Sequence, residues 1–253
     1  MLHTLALRLV RAVPAVAVLA RREARLLALL VLVFGGFWMF GVIADEVAEN
    51  ELQTFDQQIL LFFRDAQNLA DPIGPAWVEQ AARDITALGG YTVLTLVTAL
   101  VVVYLWLLRR WRASALVLAS VLGGMVISQG LKALFQRARP DLVPHIVDVH
   151  TLSFPSGHST LSAVVYLTLG ALLATVQPGR SVKVFIIAAA LLIAMLVGLS
   201  RVYLGVHWPT DVLAGWSVGA AWALLCSAVA DLLVRRRKMR GESGDTPQAG
   251  DTA

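Results

Sequence analysis

Apolar residues gather into six long runs separated by polar segments: 26–44, 85–108, 113–131, 159–176, 184–199 and 212–234. Each comes near the ~20 residues with which a helix crosses the hydrocarbon of a bilayer, where every backbone N–H and C=O must be satisfied within the segment. The pattern predicts an all-α polytopic membrane protein with six transmembrane helices in one bundle, the fifth being the shortest. Between the first two runs lies the polar segment 45–84, which holds nine of the 17 acidic residues. Within it "FDQQILLFFRD" has clustered apolar positions that predict a short interfacial helix. The segment reads either as a solvated lid or spacer or as one wall of a lateral entrance for a lipid. Between the third and fourth runs, "KALFQRARPDLVPHIVDVHTLSFPSGH" is too polar and too rich in proline to cross a membrane, so it is expected to be a loop.

Composition supports the bilayer as solvent: mean hydropathy is +0.72, with 58% hydrophobic and 15% charged residues in 253. Fifteen of the 21 lysines and arginines flank the runs on one side. These are Arg8, Arg11, Arg21, Arg22 and Arg25 before the first run, Arg109, Arg110 and Arg112 after the second, Arg180 and Lys183 after the fourth, and Arg235, Arg236, Arg237, Lys238 and Arg240 after the sixth. Because short cytoplasmic loops carry the excess of Lys and Arg, both termini are expected in the cytoplasm of a multi-pass plasma, or bacterial inner, membrane protein. Topology thus accounts for the pI of about 9.6, and no nucleic-acid partner is implied. Lys132, Arg137, Arg139 and Arg201 fall on the opposite, outer side and need another explanation.

In "LVRAVPAVAVLARR" Pro14 interrupts a short apolar core, which favours a retained interfacial segment at about 1–25 over a cleaved signal. Residues 1–240 are expected to form one membrane domain, and 241–253, "GESGDTPQAGDTA" from Gly241, a disordered cytoplasmic tail. Cys226, the single cysteine, leaves no disulfide and no cysteine metal cluster within one chain. Small residues in "VLASVLGGMVIS" and "WSVGAAWALLCSAVA" allow helices to approach closely, within a bundle or between two.

Three clusters of chemistry fall on the outer side. Lys132 and Arg139 are seven residues apart, on one helix face if the helix runs on to Pro140; they converge on a polyanion or are snorkelling cations at a helix end. Pro155-Ser156-Gly157-His158 opens the fourth helix, whose free N–H groups attract an anion; plain capping by Ser156 or Ser159 is the simpler reading, but it gives His158 no role. Ser200-Arg201 is followed by His207 and, one turn later, Asp211, with Pro209 suited to the first turn of the sixth helix. There Asp211 either caps the helix or fixes the His207 tautomer, leaving a free lone pair for nucleophilic attack. Together they supply cations and N–H donors for a phosphate and two histidines for phosphoryl transfer. His145, Asp148 and His150 are the nearest contenders for a metal, but their spacing does not fit a ligand set and three neighbouring cations repel a divalent ion.

These residues resemble the three-part signature of the type 2 phosphatidic acid phosphatase superfamily, which also includes the vanadium-dependent haloperoxidases. The signature reads here as Lys132…Arg139-Pro140, Pro155-Ser156-Gly157-His158 and Ser200-Arg201…His207…Asp211, with no departure. The resemblance implies a metal-independent membrane lipid phosphatase with no cofactor. His207 would form a phosphohistidine, Asp211 would orient it and His158 would protonate the leaving oxygen. Lys132, Arg139, Ser156, Gly157 and Arg201 would hold the phosphate. The implied substrates are phosphatidylglycerol phosphate, phosphatidic acid or undecaprenyl pyrophosphate, met on the periplasmic or extracellular side, with membrane lipids and no obligate protein as partners. A non-enzymatic phospholipid-binding or transport protein and a haloperoxidase are the alternatives.

Overall fold

A computed structural model describes residues 2–148 and 151–242, all of whose regular elements are helices. In chain order they are α1 (Leu2–Ala48), α2 (Gln53–Phe62), α3 (Ala76–Ala87), α4 (Tyr91–Leu107), α5 (Trp111–Phe135), α6 (Gly157–Val176), α7 (Arg180–Tyr203) and α8 (Pro209–Glu242). Five segments are long and apolar enough to cross a membrane: Leu26–Ala48 of α1, all of α5, α6 and α7, and Pro209–Val234 of α8. The sixth is the pair α3 and α4, bent by 45° at the break 88–90. One helix, α1, runs through residues 2–25, where an interfacial segment is expected, and on into the first span. Of the tail 241–253, residues 243–253 lie outside the described residues.

The expected short helix after the first span is α2, but a second one, α3, follows and leads into the bent span. The fifth span is not the shortest: α7 has 24 residues against 20 in α6, because its ends extend through Arg180 and Lys183 and through a buried Arg201 that apolar counting excludes. Local chemistry sets the boundaries. Pro209 opens α8, where its missing N–H costs no bond, and Gln177-Pro178-Gly179 separates α6 from α7. Gln136 adopts the left-handed conformation (φ 46°) and ends α5 four residues before Pro140.

The bundle has the inverted surface of a membrane protein. Phe34, Trp38, Leu100, Val126 and Phe185 face outward, while Ser120, Ser128, Ser159, Thr160 and Ser162 are buried between helices. An apolar core joins α4, α5 and α6 through Leu94, Val117, Val121, Leu161 and Val165. The Ser120 and Thr168 hydroxyls pair across α5 and α6 at 2.8 Å.

At the centre α6 crosses α8 backbone to backbone. A Cβ at Gly215 would stand 2.9 Å from the Ser156 carbonyl oxygen, and one at Gly219 would meet the Thr160 carbonyl and, at 3.1 Å, Ala163 Cβ. The spacing Gly215-x-x-x-Gly219 is what lets these two helices, which carry His158 and Asp211 at adjacent ends, lie this close. Gly219→Val is therefore expected to lower stability by about 1–3 kcal/mol through overpacking, seen as a lower Tm in detergent micelles; an unchanged Tm would contradict the crossing.

Candidate active site

The C-terminal ends of α5 and α7, the N-terminal ends of α6 and α8 and the α3–α4 break meet at one end of the bundle, around a cavity of about 380 Å³. Its lining includes Lys132, Arg139, Gly157, His158, Arg201 and His207. Six of the eight site residues read from the sequence therefore share one cavity, and a seventh, Asp211, lies directly behind it.

Asp211, in the first turn of α8, is fully buried. A carboxylate removed from water must have its lone pairs occupied. Arg137 Nη1 donates to Oδ1 at 2.7 Å, and Oδ2 accepts from the Trp208 N–H at 2.9 Å, from the Ser153 hydroxyl and from His207 Nδ1 at 3.3 Å. This network assigns the proton to Nδ1 and leaves the Nε2 lone pair directed at the cavity, with Arg139 Nη1 3.1 Å away.

Burial, and after it the charges of Arg139, Arg201 and Lys132, hold the His207 imidazole well below its ordinary pKa of 6.5. Its neutral, nucleophilic form is thus the resting one at neutral pH.

The cations reach the cavity from three directions. Lys132, on the last turn of α5, donates to the carbonyls of Leu152 and Ser153. Arg139 does not continue α5, contrary to the expected shared helix face. The left-handed turn at Gln136 ends the helix, and Arg139 reaches back from the loop, donating to the Thr151 and Val206 carbonyls at 2.6 Å each. Arg201, buried near the end of α7, donates from Nη1 to Thr86 Oγ1 at 2.9 Å, and its Nε has no hydrogen-bond partner among the described residues. Asp211, behind the cavity, is already paired with Arg137, and against the three cations the described lining residues hold one carboxylate, Asp148, so the cavity carries an excess of positive charge that suits an anion.

At the start of α6, Gly157 and His158 line the cavity, and His158 packs edge-on to Tyr91 with ring centroids 6.5 Å apart. Ser156 is placed differently from the phosphate-holding position expected of it. Its hydroxyl accepts from the Ser159 N–H at 3.4 Å and from the Ser159 hydroxyl at 3.0 Å, the capping geometry, and it does not line the cavity. Of the three metal contenders, His145 Nε2 is bonded to the Pro140 carbonyl at 2.7 Å, Asp148 lines the cavity and His150 lies outside the described residues.

Sequence reading missed Thr86, Tyr91, Ser153 and Arg137. Only Arg137 had left a signal, as a cation on the outer side with no topological reason. Among the described residues of 45–84, none lines the cavity; α2 instead packs behind the His207 turn, with Leu60 against Val202, Trp208 and Val212.

A family model described as the PAP2 superfamily matches residues 113–235, which include every site residue read from the sequence. The chain is 32% identical over 205 residues to phosphatidylglycerophosphatase B of Bacillus subtilis (strain 168), covering 80% of this chain and 96% of that protein. It is 31% identical over 152 residues to the decaprenylphosphoryl-5-phosphoribose phosphatase of Mycobacterium tuberculosis, covering 59% of this chain and 76% of that one. The crystal structure of a transmembrane PAP2-type phosphatidylglycerolphosphate phosphatase from Bacillus subtilis superposes with a TM-score of 0.70 at 30% identity, over 80% of this chain and 98% of that chain. The chain belongs to the PAP2 superfamily, as a multi-pass membrane phosphatase or diphosphate hydrolase.

The buried neutral imidazole has a consequence for stability. His207 has a lower pKa folded than unfolded, so the unfolded chain takes up a proton as pH falls below 6.5 and the fold does not. The stability tied to His207 is therefore present above that pH and lost below it. Between about pH 7.5 and about pH 5.5 the Tm should fall, and His207→Gln should make the fall shallower; identical slopes would show that His207 is not held neutral.

Proposed function

We propose that the protein is a metal-independent phosphatase that hydrolyses a phosphomonoester or a pyrophosphate of a membrane lipid on the outer face of the membrane, through a phosphohistidine at His207. One observation carries the reading: His207 Nε2 opens onto a cavity ringed by three cations while Nδ1 is held by a buried carboxylate.

In this mechanism Lys132, Arg139, Arg201 and the N–H groups at Gly157 hold the phosphoryl oxygens and stabilise the charge that spreads over them. His207 Nε2 attacks phosphorus, the bond from phosphorus to the lipid oxygen breaks, and His158 gives that oxygen its proton. Asp211 stabilises the positive charge on the imidazole. A water then attacks the phosphohistidine, giving its proton to His158; the N–P bond breaks, phosphate leaves and neutral His207 returns. Ser156 acts one step back, through the cap that aims the start of α6. The cations do the work a metal would do, and no step calls for one.

The distribution of charge supports this side. The helix ends that surround the cavity are those without the basic excess, and the fifteen flanking lysines and arginines belong to the opposite ends. This supports an outer-face site with both termini in the cytoplasm. Candidate substrates are phosphatidylglycerol phosphate, phosphatidic acid and undecaprenyl pyrophosphate, and the name of the Bacillus relative supports the first. The reading needs the lipid and no protein partner.

Release of inorganic phosphate from a panel of these three lipids by the detergent-solubilised protein is the test. His207→Ala should fold but lose activity by roughly 10³-fold or more, as expected for removal of a nucleophile, and a chelator should leave the wild type unchanged. Substantial turnover by His207→Ala would sink the mechanism, and chelator sensitivity its metal independence.

A further inference from the structure

The acidic segment between the first two spans contains two fully or nearly buried charges, Asp56 on α2 and Arg64 just after it. Neither lines the cavity, and both lie outside residues 113–235. A carboxylate buried on a short helix outside the spans is costly unless it is fully partnered. Asp56 Oδ1 accepts the Thr210 backbone N–H at 2.9 Å. Its Oδ2 accepts the Thr210 hydroxyl at 2.6 Å and Arg137 Nη2 at 2.7 Å.

Arg137 Nη1 donates to Thr210 Oγ1 at 2.8 Å and to Asp211 Oδ1 at 2.7 Å. Arg137 is thus a fork between two buried carboxylates, its guanidinium carbon 5.7 Å from the centre of the Trp208 ring. The chain of contacts runs from Asp56 through Arg137 to Asp211 and on to His207 Nδ1.

At the far end of α2, Arg64 Nη1 donates to the Tyr203 carbonyl at 3.0 Å, where α7 ends. Gly205 follows with φ 75°, and a Cβ there would run into the Arg64 guanidinium. The turn between α7 and α8 that carries His207 is therefore gripped at its start by Arg64, just after α2, and at its finish by Asp56 on α2.

We propose that Asp56 is a positioning residue for the reaction: it holds Arg137 and Thr210 so that Asp211 keeps the His207 lone pair aimed at phosphorus. This rests on the reading of His207 as the nucleophile. Two effects follow from the geometry. The Asp56 charge shares the Arg137 charge, so Asp211 is not wholly neutralised and retains its pull on the His207 proton. Its fixed oxygens also prevent Arg137 from tilting Asp211 away from His207, and a small misplacement of a reacting group is enough to slow an in-line attack. The cations that bind phosphate are not part of this chain, so the defect should appear in turnover and not in anion binding.

Asp56→Asn keeps the size of the side chain but turns an amide donor toward Arg137 or Thr210. It is expected to lower kcat roughly 10- to 100-fold while KM and inhibition by inorganic phosphate stay at wild-type values. Arg137→Lys, which retains one charge but cannot bridge two carboxylates, should do the same and carries the test alone if Asp56→Asn does not fold. Activities are scaled to folded protein by size-exclusion chromatography and thermal unfolding. Wild-type kcat per folded molecule in either variant overturns the proposal. So does a loss of kcat matched by an equal loss of phosphate inhibition, which marks a deformed cavity. His207→Ala measured alongside separates the two claims: activity there defeats the phosphohistidine reading itself, whereas an inactive His207→Ala beside a fully active Asp56→Asn defeats only the role of Asp56.

Discussion

The architecture at the active end depends on the burial of one carboxylate. Asp211 has no contact with water, and its two oxygens accept from the Arg137 guanidinium, the Ser153 hydroxyl, the Trp208 N–H and the His207 ring. Those donors come from the loop after α5, from that loop where it approaches α6, and from the turn before α8. Satisfying Asp211 therefore fixes both ends of the loop between α5 and α6 against the start of α8, more than fifty residues further along the chain. It also separates the charges into two groups. Arg137 is shared between Asp211 and Asp56, whereas Lys132, Arg139 and Arg201 lie around the cavity, where the one carboxylate among the described lining residues is Asp148. An anion is the natural partner of that arrangement, and the neutral imidazole of His207 stands at its edge.

The bundle makes this possible by bringing helix ends together. The Gly215 and Gly219 crossing seats α8 on α6, so that the start of one helix presents His158 and the start of the other presents Asp211. The Ser156 N–H donates to the Asp211 backbone carbonyl at 2.9 Å, which ties the two helix starts directly. The loop from α5 supplies Arg139 and Ser153, and its backbone carbonyls hold Lys132 in place. The polar chemistry is gathered at one end, while lipid-facing side chains cover the length of the helices.

Much of this was legible in the sequence because it is local. The six spans follow from apolar runs, the α8 start from Pro209, and the His207–Asp211 pair from their spacing of four. Departures arise where tertiary contacts override a local rule. Arg201 is a charge that composition places outside a span, but burial beside Thr86 lets α7 continue past it. Lys132 and Arg139 have the spacing of one helix face, but the chain turns at Gln136 and brings Arg139 back from a loop. Asp56 looked like one of nine solvated acids; its partner Arg137 is 81 residues away, and no periodicity encodes that pairing. Ser156 shows the reverse: the simple capping role weighed from its position beside a helix start is where its hydroxyl lies.

The central claim is that His207 becomes covalently phosphorylated. Rapid mixing of the purified protein with a lipid labelled in its terminal phosphate, quenched under conditions that preserve phosphoimidazole and followed by peptide mass spectrometry, tests it most directly. Label on Nε2 of His207, appearing and decaying fast enough to account for turnover, is the expected result. Phosphate release with no label on His207 at any time, or label on a different residue, would contradict the account.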